Sequence, residues 1–401
     1  MTKLLLALLL LFTCPFLVWS QVLTGADVLV NSRLQLLAGK RVGIVTNQTG
    51  RLRSGEFLVD ALLSRGVHVT ALFGPEHGFR GNAGPGEEVR DTLDELRHIP
   101  VYSLYGATTK PTPRMLDSVD LLVYDIQDVG VRFFTYITTL YFVMEAGAEQ
   151  HIPVMVLDRP DPLGGVVVDG PVLEDSLRSF VGIVPIPIVY GLTCGELARM
   201  INGEGWLKGG AHAELTVVPM QGWTRSMLWN ETGLPWTPPS PNIPDVRTCY
   251  GYPVTCFLEA TNISEGRGTP EPFLMIGAPF VNADALAASL DHAVPSIHWE
   301  PTTFTPVSSK YAAVPCHGVR LAIDSPPVHH PISCAVSLLR VLKQSCAGKL
   351  TIRGDDLLRL SGSSLVPGSV EDSSVFRSTE KQWQRSCTQF VHTSASYHLY
   401  K

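Results

Sequence analysis

The chain has 401 residues, of which 45% are hydrophobic and 17% charged, with a formal net charge of −6 and no long run of one sign. At about 150 residues per domain, that length makes two or three domains and leaves ample material for a core. The mildly acidic balance argues against a nucleic-acid partner and against a polybasic membrane dock.

Residues 1–20 read as a signal peptide: one positive charge at Lys3, the apolar run Leu4 to Phe12, and Val18-Trp19-Ser20 before Gln21. Cys14 follows Leu11-Phe12-Thr13, a poor lipoprotein cleavage box because a smaller residue is expected just before the cysteine. The chain is therefore expected to be exported, periplasmic or extracellular, without anchoring at Cys14. No later segment reaches the roughly 20 uninterrupted apolar residues of a membrane helix, so no stable membrane insertion is expected. Removal of Cys14 leaves an odd set, Cys194, Cys249, Cys256, Cys316, Cys334, Cys346 and Cys387. Export permits a disulfide, between Cys249 and Cys256 or within the C-terminal third, but no Cys/His spacing supports zinc.

From Gln21 onward, short β-branched runs alternate with helical stretches that end in recognisable stop signals, which is an α/β pattern. A helix over Asn31 to Ala38 stops at Gly39 and leads to the strand Arg41 to Thr46; a helix over Ser54 to Arg65 stops at Gly66 and leads to Val67 to Phe73. Further strands read at Val119 to Tyr124, Pro153 to Leu157 and Leu215 to Pro219, with a helix from Tyr136 to Gln150. Thr193 and Glu196 form a capping box that opens another helix. From Gln221 to Pro253 the texture changes to Trp, Pro, Asn and Gly, an ordered loop or domain junction. Strands at Phe273 to Ile276 and Gly318 to Ile323, with helices around Ile332 to Gln344 and Thr379 to Phe390, complete a second unit. The expected architecture is a Rossmann-like parallel-sheet N-terminal domain over residues 21–222 and a smaller α/β C-terminal domain over 223–401 that completes the cleft.

In an open parallel sheet, ligands lie beyond the carboxyl ends of the strands, so the loops there carry the chemistry. They read Asn47-Gln48-Thr49-Gly50, then Gly74 to Gly81 with Glu76, His77 and Arg80, then Asp125 to Arg132, then Asp158-Arg159-Pro160-Asp161. Four polar loops stiffened by Gly or Pro build a cleft dense in carboxylates, amides and guanidinium groups, suited to a sugar with many hydroxyls and an acid group. No GxGxxG follows the first strand, and Gly81 to Gly86 has the wrong spacing, so a nicotinamide cofactor is rejected and no cofactor is expected. Gly43 is mid-strand and reads as a packing residue. No serine elbow is present; Cys194 inside its capping box reads as a packed side chain; Asp125, Asp128 and His77 match no known metal-ligand spacing. Glycosidic cleavage needs a carboxyl that protonates the leaving oxygen and usually a second group at the anomeric carbon. Glu76 is the first choice, between Pro75 and Phe79, where partial desolvation raises a carboxyl pKa toward the working pH. Asp125, Asp128 and Glu265 are the other candidates, the last with a plain alternative as a salt bridge to Arg267 that holds a Gly turn.

The stretches GIVTNQTG (Gly43 to Gly50), LFGPEHGFRG (Leu72 to Gly81), DLLVYDIQDVGVRFFTYITTL (Asp120 to Leu140), VLDRPDPLGG (Val156 to Gly165), PIPIVYGLTCGELARMING (Pro185 to Gly203), GLPWTPPSPNIP (Gly233 to Pro244) and EATNISEGRGTPEPF (Glu259 to Phe273) resemble the exo-β-N-acetylmuramidase (NamZ-type, DUF1343) family. The resemblance implies a Rossmann-like domain with a smaller α/β domain, and release of N-acetylmuramic acid from non-reducing ends of peptidoglycan fragments. The substrate it implies is a peptidoglycan-derived oligosaccharide or the MurNAc-GlcNAc disaccharide. The family's catalytic glutamate matches Glu76. By position in the matching motifs, the sugar site is lined by Asn47 and Gln48; His77 and Arg80; Asp125, Gln127, Asp128, Arg132 and Tyr136; Asp158 and Arg159; Asn242; Glu265 and Arg267. The lactyl carboxylate of muramic acid asks for an arginine, and Arg80, Arg132, Arg159 and Arg267 are the candidates. After about Asp284 the chain departs from the family pattern, with a shortened segment near Gly362 to Ser374, and Tyr397-His398-Leu399-Tyr400 resembles its usual end. The rival readings are a non-catalytic muropeptide-binding or sensing protein on the same fold, and an esterase or amidase acting on cell-wall fragments.

Overall fold

The computed structural model describes residues 21–84, 86–323 and 330–401, so the signal segment and Cys14 lie outside the described residues. Helix α1 (Gly25–Ser32) opens on a capping box: Thr24 Oγ1 accepts from the Asp27 N–H, and the Asp27 carboxylate accepts from the Thr24 N–H at 2.9 Å. The first helix therefore lies over 25–32 rather than 31–38, and Leu34–Leu37 forms only a 3₁₀ turn before Gly39. The chain continues through β1 (Arg41–Thr46), α2 (Leu58–Ser64), β2 (His68–Gly74), β3 (Thr92–Asp94), β4 (Ile99–Ser103), α3 (Pro113–Leu116), β5 (Leu121–Asp125), α4 (Tyr136–Gln150), β6 (Val154–Leu157), α5 (Cys194–Gly203) and β7 (Leu215–Val218).

These strands form one sheet in the order β3-β4-β2-β1-β5-β6-β7, parallel except for β3, which pairs antiparallel with β4 at the edge. Without β3, the order is the Rossmann one: the chain runs outward from β1 through β2 to β4, then returns to β5 beside β1 and runs outward the other way. The loops after β1 and β5 thus diverge and leave a crevice between them. Alternation along the strands divides the core. Val42, Ile44, Leu72 and Val123 face α1 and α2, whereas Val45, Phe73, Leu122 and Tyr124 face α4 and α5. At Gly43 a Cβ would stand 3.0 Å from the Phe73 ring and the Val119 methyls, so the residue is needed for close packing.

The second unit holds α6 (Trp229–Thr232), α7 (Val246–Thr255), β8 (Met275–Ala278), α8 (Ala283–Ala293), β9 (His298–Phe304), β10 (Cys316–Ala322), α9 (Pro331–Ser345), α10 (Gly354–Ser361), α11 (Val366–Glu371) and α12 (Ser373–Ser394). Its antiparallel sheet runs β8-β10-β9. The tryptophan-rich junction is ordered by stacking: Trp229 meets Trp236 edge-on at 4.8 Å, and Trp223 meets Tyr400 at 5.0 Å. The chain end returns to the first sheet, where Arg199 donates to the carbonyls of Tyr397 and His398. The seven described cysteines are all free and buried; Cys249 on α7 and Cys256 at its C-cap do not pair. Among the described residues no helix is long and apolar enough to cross a membrane.

Candidate active site

The loop ends of β1, β2 and β5 are bound to one another before any ligand is considered. Asn47 is fully buried, accepts from the Thr49 N–H at 2.9 Å and donates through Nδ2 to the Tyr136 hydroxyl at 3.0 Å. That hydroxyl donates in turn to the Pro239 carbonyl at 2.5 Å. Gln48 Nε2 donates to the Pro238 and Pro239 carbonyls, and its amide lies against Gly81, where any Cβ would come within 2.0 Å of it. Asn47, Gln48 and Tyr136 are thus the floor that fixes the loop after β2 against the proline segment.

On this floor Glu76 is half-buried, with one side facing a cleft lined by Phe133, Phe134, Thr135, Ser240, Asn242, Ile243, Tyr252, Arg267 and Phe273, together with His77. Thr135, the N-cap residue of α4, donates its hydroxyl to Glu76 Oε2 at 2.7 Å. The Tyr105 hydroxyl also faces Glu76; burial first, and then the nearby carboxylate, push its pKa up to about 12, so it remains a donor. His77 has φ of 70° and sits 2.8 Å through Nδ1 from the Ala83 carbonyl. A carbonyl only accepts, so Nδ1 carries the proton, and burial lowers the ring's pKa, keeping it neutral with Nε2 as an acceptor. The aromatic wall is tightly packed, with Tyr252 edge-on to Phe133 at 5.1 Å and to Phe273 at 4.6 Å. Such a wall suits the apolar face of a sugar ring, and the polar groups opposite suit its hydroxyls.

Several residues proposed for the site from sequence face elsewhere. Asp125 is completely buried and bidentate with Arg159, at 2.6 and 2.9 Å, and Arg159 also donates to the Arg51 carbonyl. Asp158 accepts from Thr193 Oγ1, Tyr400 Oη, the Gly195 N–H and the Arg159 N–H, leaving it no open side. Asp128 is buried against the Tyr190 hydroxyl and the Gly130 N–H. Gln127 spends its amide N–H groups on the Asp128 and Pro160 carbonyls. Arg132 is wholly buried and donates to three backbone carbonyls. Glu265 is clamped between Arg267 at 3.3 Å and Lys310 at 2.9 Å, so the salt-bridge alternative describes its surroundings. Arg80 is exposed and lines an adjoining cavity of about 350 Å³ between the loop after β2 and strands β3 and β4, which shares His77 with the cleft. Of the proposed set, Glu76, His77, Asn242 and Arg267 line the cleft itself.

A family model of the N-terminal region of the exo-β-N-acetylmuramidase NamZ matches residues 42–247, and one of its C-terminal region matches residues 250–400. The chain belongs to the exo-β-N-acetylmuramidase NamZ family. It is 41% identical over 383 residues, covering 95% of this chain and 92% of the relative, to the peptidoglycan β-N-acetylmuramidase NamZ of Bacillus subtilis (strain 168). Crystal structures of two DUF1343 family proteins from Bacteroides fragilis match with TM-scores of 0.87 and 0.78 at 37% and 32% identity, each over 95% of this chain and 99% of theirs. By class the chain is therefore a glycosidase. The C-terminal match runs through the region after Asp284, so departure from the pattern there leaves the second unit within the NamZ family.

Against that family frame, the sequence reading passed over Thr135, Tyr105, Ser240 and the aromatic wall. Thr135 directly precedes α4, yet its backbone is already helical and its hydroxyl goes to Glu76 rather than to the helix N-terminus, so N-cap preference does not mark it. Tyr105 carried no signal either: it follows β4, a strand the reading did not place.

Proposed function

We propose that the chain is an exo-acting glycoside hydrolase that releases N-acetylmuramic acid from the non-reducing ends of peptidoglycan fragments, with Glu76 as general acid/base. The observation that carries this reading is that, among the described residues, Glu76 is the one carboxylate lining the cleft. Family membership supplies the substrate class. Glu76 gives its proton to the glycosidic oxygen as the C1–O bond breaks, and the resulting carboxylate takes a proton from the water that adds at C1. Thr135 and Tyr105 hold the carboxylate in place through this exchange, and the aromatic wall excludes bulk water from one side. The same reading keeps residues 1–20 as an export signal, placing the enzyme where cell-wall fragments occur.

The test is hydrolysis of a chromogenic β-N-acetylmuramide by the mature protein, run beside the matching glucosaminide and beside Glu76→Gln. Cleavage of the muramide with a loss of roughly 10²-fold or more in the variant is the expected result. Binding of muramic acid without turnover of either sugar would make the protein a sensor and overturn the enzymatic reading.

A further inference from the structure

Four arginines were candidates for reading the acid group of the sugar, and the structure separates them. Arg132 is buried on three carbonyls, Arg159 is closed on Asp125, and Arg80 points to the neighbouring cavity. Arg267 alone reaches the cleft that holds Glu76.

Its surroundings hold the guanidinium in one orientation. Arg267 lies between Gly266 and Gly268, both with φ of 80°; a Cβ at the first would come 2.5 Å from the Met275 carbonyl, and at the second 2.6 Å from Ser308 backbone atoms. The turn can therefore be made only with glycine on both sides of the arginine. The guanidinium lies over the Phe273 ring at 5.0 Å, Nη2 donates to Glu259 at 2.5 Å, and Nε faces Glu265 at 3.3 Å. Glu265 is itself held by Lys310, whose ammonium also donates to the Leu258 and Ile263 carbonyls. Among the described residues Nη1 donates to no protein group. The two glutamates and the lysine and arginine balance in charge, so an incoming anion meets no net negative field from this cluster. A planar donor group held in place through Nε and Nη2, with Nη1 uncommitted, is an arrangement that can receive a carboxylate oxygen.

We infer that Arg267 is the specificity-determining residue of the site, binding the carboxylate of the 3-O-lactyl group, with Glu265 and Lys310 as the residues that position it. This rests on the glycosidase reading above. It explains why the second unit must close on the first: the acid/base comes from the loop after β2, and the group that selects the sugar comes from the turn before β8.

The test compares three chromogenic substrates: the β-N-acetylmuramide, its lactyl methyl ester, and the β-N-acetylglucosaminide. Wild-type enzyme should prefer the free acid to the ester by about 10²-fold in kcat/KM, because the ester keeps a carbonyl acceptor but loses the negative charge that pairs with the guanidinium. In Arg267→Gln the acid and the ester should become equal substrates, the loss for the acid appearing mainly in KM. A folded Arg267→Gln enzyme that still prefers the acid overturns the inference while leaving the glycosidase standing. Equal cleavage of acid and ester by the wild type overturns it without any variant, so a misfolded variant does not block the test. Failure of the wild type to cleave any of the three removes the functional reading and this inference with it.

Discussion

Arg132→Met tests how the interior is held together. The guanidinium of Arg132 donates through Nη1 to the carbonyls of Pro171 at 2.9 Å and Ile186 at 2.6 Å, and through Nη2 to that of Ser361 at 2.5 Å. Ser361 ends α10, so one side chain ties the loop after β5 to two points of the segment between β6 and α5 and to the second unit. Among the described residues no carboxylate pairs with it, and burial pulls its pKa down from 12.5 to about 9, leaving it cationic at neutral pH. Two effects oppose each other in the variant. Three carbonyls lose their donor, at roughly 1–3 kcal/mol each, or about 6 in total. Removal of the buried charge relieves a desolvation penalty on the order of 5 kcal/mol, taking about 1.4 per pKa unit. Orphaned carbonyls win by about 1 kcal/mol, and the variant should unfold at lower urea than wild type when followed by tryptophan fluorescence. An unchanged or raised midpoint would refute the premise that satisfying these carbonyls outweighs burying the cation.

Tyr105→Phe removes a hydroxyl that faces Glu76 and remains protonated to about pH 12. A hydrogen bond to a charged group is worth enough that kcat should fall roughly tenfold, with melting temperature little changed; an unaltered kcat would show that the hydroxyl does not act on Glu76. Asp128→Asn addresses pH. Burial raises the Asp128 pKa from 3.8 to about 6, so between those values the folded protein keeps a proton that the unfolded chain has lost. Stability therefore falls as pH rises from about 4 to 6, and the penalty, on the order of 3 kcal/mol, is fully present above that range. Asparagine cannot ionise, so the variant should melt at or above wild type at neutral pH and gain less on acidification. Calorimetry across this range that returned parallel curves would exclude Asp128 as the source.

Periodicity made the buried parallel strands legible, because β1 and β5 are continuous apolar runs bounded by helix stops, and α4 appeared with its observed ends. β3 and β4 give little periodic signal for a physical reason: β3 is a three-residue edge strand, and β4, between β3 and β2, is five residues long and contains Pro100. The first helix slipped because Leu34–Leu37 imitates a helical turn ending in glycine, while the deciding signal lay upstream in the Thr24–Asp27 box. In the site, the residue types are legible in the motifs and the directions of their side chains are not. Asp158 and Arg159 are adjacent in one motif, yet the first is claimed by Tyr400 and the second by Asp125. Nothing local to Asp158 announces a partner 242 residues away.

Those inward-facing polar residues have a purpose that the cleft-facing ones depend on. Loops at strand ends are normally the mobile part of an α/β fold, whereas catalysis by a single carboxylate requires placement to a fraction of an ångström. Here Asn47, Gln48 and Tyr136 tie the loops after β1 and β2 to the proline segment, Asp158 ties the loop after β6 to the chain terminus, and Arg132 ties the loop after β5 to α10. Each tie joins segments far apart in sequence and crosses the boundary between the two units or between neighbouring loops. The buried motif residues thus fix the positions from which Glu76 of one unit and Arg267 of the other face the same cleft.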